Sequence, residues 1–112
     1  MALASPRAAV EARLWEALRQ VEDPEIPVSV VGMGLIVSLA YDPPSRAATV
    51  ELTFTAMGCP AMDFIRDDVR AALEADPDVD RVEIEVVWDP VWTKDRIRAE
   101  TRQRMLELGI AV

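Results

Sequence analysis

The chain contains no histidine and a single cysteine, Cys59, among 112 residues. The first absence removes a Ser-His-Asp triad and a Cys-His pair from consideration. The second excludes an intramolecular disulfide. It also excludes a structural zinc site built from one chain, which needs a full tetrahedral set of Cys or His ligands. A lone free thiol suits a reducing compartment. No apolar run approaches the roughly 18 residues of a transmembrane helix. The start, "MALASPRAAVEARLWEAL", breaks its apolar pattern with Arg and Glu, unlike a signal peptide. Glycine is scarce, and "GMGL" lacks the spacing and the Lys of a phosphate-binding loop. Basic residues are outnumbered 20 to 12, for a formal net charge of −8. That argues against a nucleic-acid partner, which calls for a basic face, and against an anionic membrane surface. Solvated helix faces account for the acidity. The expectation is a cytoplasmic protein.

What is present suffices for one domain, residues 1–112, with about half its residues apolar and one core. Residues 6–21 read as a helix, with Ser5 as N-cap, Pro6 at the first position, and Val10, Leu14, Ala17, Leu18 and Val21 along one stripe. Pro24 and Pro27 force an extended loop. Gly32 and Gly34 in that region allow unusual backbone angles or close approach by another group. Residues 35–41 and 48–55 alternate as strands around the turn "DPPSR", giving an antiparallel hairpin. In the second strand Val50, Leu52 and Phe54 point to the core and Thr49, Glu51, Thr53 and Thr55 away from it. A helix at 60–75 carries Met62, Ile65, Val69, Ala72 and Leu73 on its buried side. A third strand at 81–88 puts Val82, Ile84, Val86 and Trp88 on one face. Strand, helix and strand in succession imply a crossover and a parallel pair. A last helix at about 94–107 is capped by Thr93, has Ile97, Thr101, Met105 and Leu108 along one side, and stops at Gly109. The order α-β-β-α-β-α gives an α+β fold, a two-layer α/β sandwich over a small mixed three-stranded sheet.

Cys59 lies between Gly58 and Pro60, where the second strand meets the second helix. Pro60 suits the first helical position, which puts Cys59 at or beside the N-cap, and Gly58 permits the sharp turn. Unpaired N–H groups and the helix dipole there favour thiolate over thiol. Thiolate is the nucleophile and the soft-metal ligand. Thr53 and Thr55 bring hydroxyls near it, and Asp63 opposes the shift. The alternative is a buried cysteine acting as a small hydrophobe. A cluster ordinarily needs more thiolates than one chain supplies here. Any iron–sulfur cluster must then be shared, transiently, with a second chain of a homodimer, a small thiol or a client.

The segments "DPEIPVSVVGMGLI", "VELTFTAMGCP" and "VEIEVVWDPVWTKDRI" together resemble the small metal–sulfur cluster assembly factor family, the PaaD-like and SufT-like domain. The likeness runs from about Val21 to Ile110. It implies an iron–sulfur cluster assembly-type domain and a role in maturing iron–sulfur proteins, through contact with client proteins and other assembly factors. The family pattern falls on Asp23, Pro24 and Glu25, then on Thr53, Thr55, Gly58, Cys59 and Pro60, and finally on Trp88, Asp89, Pro90 and Trp92. Where the family commonly has Asp-Leu-Gly, this chain has Gly32, Met33 and Gly34. The cysteine-rich tail of the longer PaaD type is absent from these residues, which favours general cluster assembly over service to one ring oxygenase.

Asp23 and Glu25 are candidate site carboxylates, against a reading as a turn and a solvated charge. Trp92 and Arg96 are candidate partner contacts, against a reading in which Trp92 covers the last helix and the basic run is a solvated face. Three functions stay open at this point. One is a non-catalytic assembly factor or carrier using Cys59 as metal ligand. The second is a metal-free adaptor for clients, and the third a thiol-dependent enzyme.

Overall fold

The structure is a computed structural model that describes residues 6–23, 27–54, 61–89 and 91–110. The expected N-cap Ser5, the loop residues Pro24 and Glu25, and Thr55, Gly58, Cys59 and Pro60 lie outside the described residues. The elements follow the expected order: α1 (Pro6–Leu18), β1 (Ile36–Asp42), β2 (Ala47–Leu52), α2 (Ala61–Glu74), β3 (Arg81–Val86), a single 3-10 turn (Lys94–Arg96) and α3 (Ala99–Glu107). β2 is the central strand. It pairs antiparallel with β1 and parallel with β3, so the sheet is mixed as the hairpin and the crossover require.

The apolar stripes become one core. Val10, Leu14 and Leu18 of α1 and Ile65, Val69 and Leu73 of α2 are buried with Val50 and Leu52 of β2, Tyr41 of β1 and Val82 of β3. α1 lies against β1 and α2, and α2 against β3, which makes two layers. The opposite sheet face carries Ser38, Glu51, Glu83 and Glu85, with a hydrogen bond from Ser38 Oγ to Glu51 Oε1 at 2.6 Å. Both outer strands are covered in part. The Tyr41 N–H at the free edge of β1 donates to Glu11 Oε2 of α1 at 2.8 Å, and Arg70 of α2 donates to the Val82 carbonyl of β3 at 2.8 Å.

Four expectations need correction. α1 ends at Leu18 rather than 21, because Gln20 and Val21 donate to Ala17 and Leu18 and tighten the last turn. The last helix does not begin at 94, and Thr93 makes no side-chain cap. Ile97 is extended and buried, and the Arg98 N–H donates to Gly32 O at 2.9 Å, so the chain breaks before α3 starts. The third strand stops at Val86 rather than 88, so Trp88 leaves its face and is 37% exposed beside Phe54, ring centroids 6.4 Å apart. Thr53, expected to point away from the core, is fully buried, because β2 ends at Leu52 and the Thr53 N–H turns to Leu35 O at 2.8 Å.

The two loop glycines behave as expected. Gly34 has φ +76, and a Cβ there would overlap the Arg96 carbonyl oxygen and lie 2.6 Å from Arg96 Cβ. A Cβ on Gly32 would overlap Thr101 Oγ1 and lie 3.2 Å from Thr101 Cβ. The 32–34 turn and the 96–101 segment thus meet without a side chain between them.

At the other end of the sheet, charges tie α1 to the turn before β3. Arg13 donates from Nε and Nη2 to the two oxygens of Asp76, both at 3.0 Å. The Tyr41 hydroxyl donates to the Asp78 carbonyl at 2.6 Å, and Arg46 Nε to Asp80 at 2.8 Å. The Arg13 guanidinium holds the Asp76 carboxyl below its ordinary value, aided by the Asp78 N–H and opposed by desolvation.

Gly34→Ala combines left-handed backbone strain with a backbone clash and should destabilise by about 2–4 kcal/mol in urea unfolding. Gly32→Ala should be partly rescued by Thr101→Ala, which removes Oγ1, whereas no side-chain truncation should rescue Gly34→Ala. For Asp76, a depressed folded pKa means stabilisation present above the unfolded value of about 3.9 and lost as pH falls through the folded value. Asp76→Asn should therefore lower Tm by roughly 2–6 °C near neutral pH, with the gap to wild type closing below about pH 4 in a thermal melt series.

Candidate functional site

The topology gathers the three sequence motifs at one end of the sheet. Parallel β2 and β3 finish there at Leu52 and Val86, and antiparallel β1 starts there at Ile36, the partner of Leu52. Pairing continues one step further on both sides: Thr53 N–H to Leu35 O at 2.8 Å and Val87 N–H to Leu52 O at 2.7 Å. The crossover from β2 to β3 runs through α2, so the α2 N-terminus, opening at Ala61, belongs to the same end. Cys59 precedes that helix by two residues in the chain, and the described residues bracket it with Phe54 and Ala61.

Thr53 stands out at this end. Its side chain is fully buried, yet its Oγ1 has no hydrogen-bond partner among the described residues. A buried hydroxyl left unpaired costs about 1–3 kcal/mol. Such a group in a native chain calls for an explanation, a functional role among them.

The "DPEIP" segment enters through a narrow antiparallel contact. Glu22 bridges Ser29, Asp23 N–H donates to Val28 O at 3.0 Å and Val30 N–H to Val21 O at 2.9 Å. Asp23 is half-buried here, and Glu25 falls outside the described residues. Ser29 Oγ then accepts from Gly32 N–H at 2.9 Å, which starts the glycine turn. The sequence signal for that contact was a serine three residues ahead of Gly-x-Gly.

The third motif closes on this turn. The Trp92 indole N–H donates to Met33 O at 2.8 Å, and Arg96 Nε donates to Gly34 O at 2.9 Å. Both residues therefore hold the 33–34 backbone in place, a role the sequence reading did not give them. Thr101 was likewise read only as part of a stripe. Its hydroxyl takes the space a side chain at position 32 would need. The sequence signal was one small polar residue in an otherwise apolar helix face.

Of the predicted site residues, the structure brings Thr53, Trp92 and Arg96 to the same end of the sheet. Thr55, Gly58, Cys59 and Glu25 lie outside the described residues. Among the described residues no three His, Cys, Asp or Glu side chains converge to hold a metal ion.

Comparison with known proteins identifies the family of the chain. The sequence pattern of the iron–sulfur cluster assembly protein family matches residues 11–86. A Porphyromonas gingivalis protein named Fe-S protein maturation auxiliary factor is 45% identical over 92 residues, covering 82% of this chain and 84% of its own. The Bacillus subtilis Fe-S protein maturation auxiliary factor YitW is 36% identical over 102 residues, covering 91% and 96%. A crystal structure of a domain of unknown function from Bacillus anthracis superposes with a TM-score of 0.82 at 34% identity, covering 94% of this chain and 96% of that one. The chain belongs to the iron–sulfur cluster assembly protein family.

Proposed function

We propose that this protein matures client iron–sulfur proteins as an assembly or transfer factor, with the Cys59 thiolate as its ligand for the cluster it handles. The observation that carries the reading is that the only thiol of the chain falls inside the span matched by the assembly family. The names of the relatives, maturation auxiliary factors, point to the same work. The Thr53 hydroxyl, without a partner among the described residues, adds support, since it sits at the end of β2 from which the chain runs toward Cys59.

The cluster is cargo in this reading. One thiolate per chain falls short of what a cluster needs, so the remaining ligands come from a second copy, a small thiol or the client. A site completed by exchangeable ligands favours transfer over storage. Without histidine there is no ready general base for the thiol, which favours a carrier over a catalyst. Thr55, Gly58, Asp23 and Glu25 complete the proposed site. Trp92 and Arg96 fix the neighbouring turn against which a partner seats. A free thiol working as a ligand requires a reducing compartment, and we place the protein in the cytoplasm.

Anaerobic reconstitution with iron and sulfide should give the visible absorption of a cluster in wild type and lose it in Cys59→Ser. If both remain colourless while still capturing the same client proteins, the protein is a metal-free adaptor. The rate of Cys59 alkylation against pH should show a midpoint below the free-thiol value of about 8.5. A midpoint at or above that value removes the helix-terminus argument.

A further inference from the structure

Two adjoining clefts open beside the glycine turn. One, of about 220 Å³, is lined by Trp15, Val31, Gly34, Ile36, Arg96 and Arg98. The other, of about 310 Å³, shares Val31 and Arg98 and adds Arg19, Ser29, Glu100 and Thr101. Through the shared residues they form one trough between α1 and the start of α3. We propose that this trough docks an extended acidic segment of a partner protein. The proposal deepens the assembly-factor reading, on which it rests for the kind of partner, by giving the chemistry that holds it.

The argument is one of unmatched charge. In a chain of net charge −8, the trough gathers three guanidinium groups and one carboxylate, that of Glu100. Arg98 is exposed, and its side chain makes no ion pair or hydrogen bond among the described residues. Arg96 gives Nε to Gly34 O, which anchors the side chain and leaves its terminal nitrogens without a hydrogen bond among the described residues. Arg19 pairs with Glu16 at 2.9 Å, a solvent-exposed pair three residues apart. Pairs of that kind are weak and exchange readily for a better acceptor. Outside the trough Arg13 is engaged by Asp76, Arg46 by Asp80, Arg70 by the Val82 carbonyl and Arg102 by the Lys94 carbonyl, while Arg104 on α3 stands alone, exposed and without a side-chain bond among the described residues.

The spread of the cations selects an extended ligand over a small anion. Arg96 lines only the first cleft and Arg19 only the second, with Arg98 common to both. A single phosphate or free carboxylate reaches one cleft. A peptide with acidic side chains along its length reaches all three guanidinium groups, each able to make charge-assisted bonds. Trp15, Val31 and Ile36 supply apolar surface for its carbon stems.

The test is binding of a fluorescein-labelled hexaglutamate peptide to the full chain, read by anisotropy. Salt is held near 0.1 M, where the Debye length of about 10 Å screens the repulsion of the net charge but not the contacts. Arg98→Glu should raise Kd at least about tenfold. Arg104→Glu makes the same change in net charge at a residue that lines neither cleft, and should stay within about twofold of wild type. Arg19→Glu, on a different element, should reproduce the loss and decides the matter if Arg98→Glu melts early by circular dichroism. No binding by wild type, or equal effects of Arg98→Glu and Arg104→Glu, overturns the proposal. So does competition by inorganic phosphate as effective as that by unlabelled peptide. Cys59→Ser should bind the peptide as wild type does. A trough that fails while wild type still takes up a cluster therefore leaves the assembly reading standing, and the converse result separates them equally well.

Discussion

The close approach of the 96–101 segment to the turn at 32–34 is the constraint on which the candidate-site end of this molecule depends. Two positions without side chains let backbone meet backbone and hydroxyl, and a left-handed φ at Gly34 aims its carbonyl at the Arg96 side chain. Three bonds follow from that geometry: Trp92 to Met33, Arg96 to Gly34, and the Arg98 N–H to Gly32. The turn so held leads directly into Leu35, whose carbonyl receives Thr53. The end of the central strand is thereby tied, through one bond, to residues almost half the chain away. The glycine turn and the place where β2 leaves the sheet are thus neighbours joined by the Leu35–Thr53 bond.

Seen this way, the tryptophan and the arginine of the third motif act first within the chain. Their apolar and charged remainders are then held in a fixed orientation. The chemistry proposed for the site asks little of catalysis and much of placement. A thiolate that shares its cargo needs an accessible position and a rigid neighbourhood, and the sheet end supplies the second. Thr53 Oγ1 is the one buried side-chain polar atom there whose needs the described residues do not meet.

The architecture was legible because its determinants are local. Leu14 and Leu18, or Ile65, Val69 and Leu73, announce their helices by spacing alone, and the hairpin and crossover then dictate a mixed sheet. The freedom of Gly32 and Gly34 was legible as a requirement, though not the identity of what came close. What escaped the sequence depends on residues far apart. The break before α3 arises because Gly32 O captures the Arg98 N–H, and nothing near position 98 signals that. Thr53 alternates correctly for an exposed site, but the strand ends one residue earlier and Leu35 draws it inward. Arg19 joins Arg96 and Arg98 only through the tertiary fold. Within the site itself, Cys59 and its flanking residues were marked by motif, and their geometry falls outside the described residues.

One modest feature has a wider reach. The outermost strands each surrender a backbone group to a helix side chain, Tyr41 N–H to Glu11 and Val82 C=O to Arg70. A bare strand margin is a template for another chain, and these two interruptions make the sheet a poor one. The sheet is thus kept from zipping onto a second copy of itself or onto nascent strands, and encounters with other chains are left to side-chain chemistry instead.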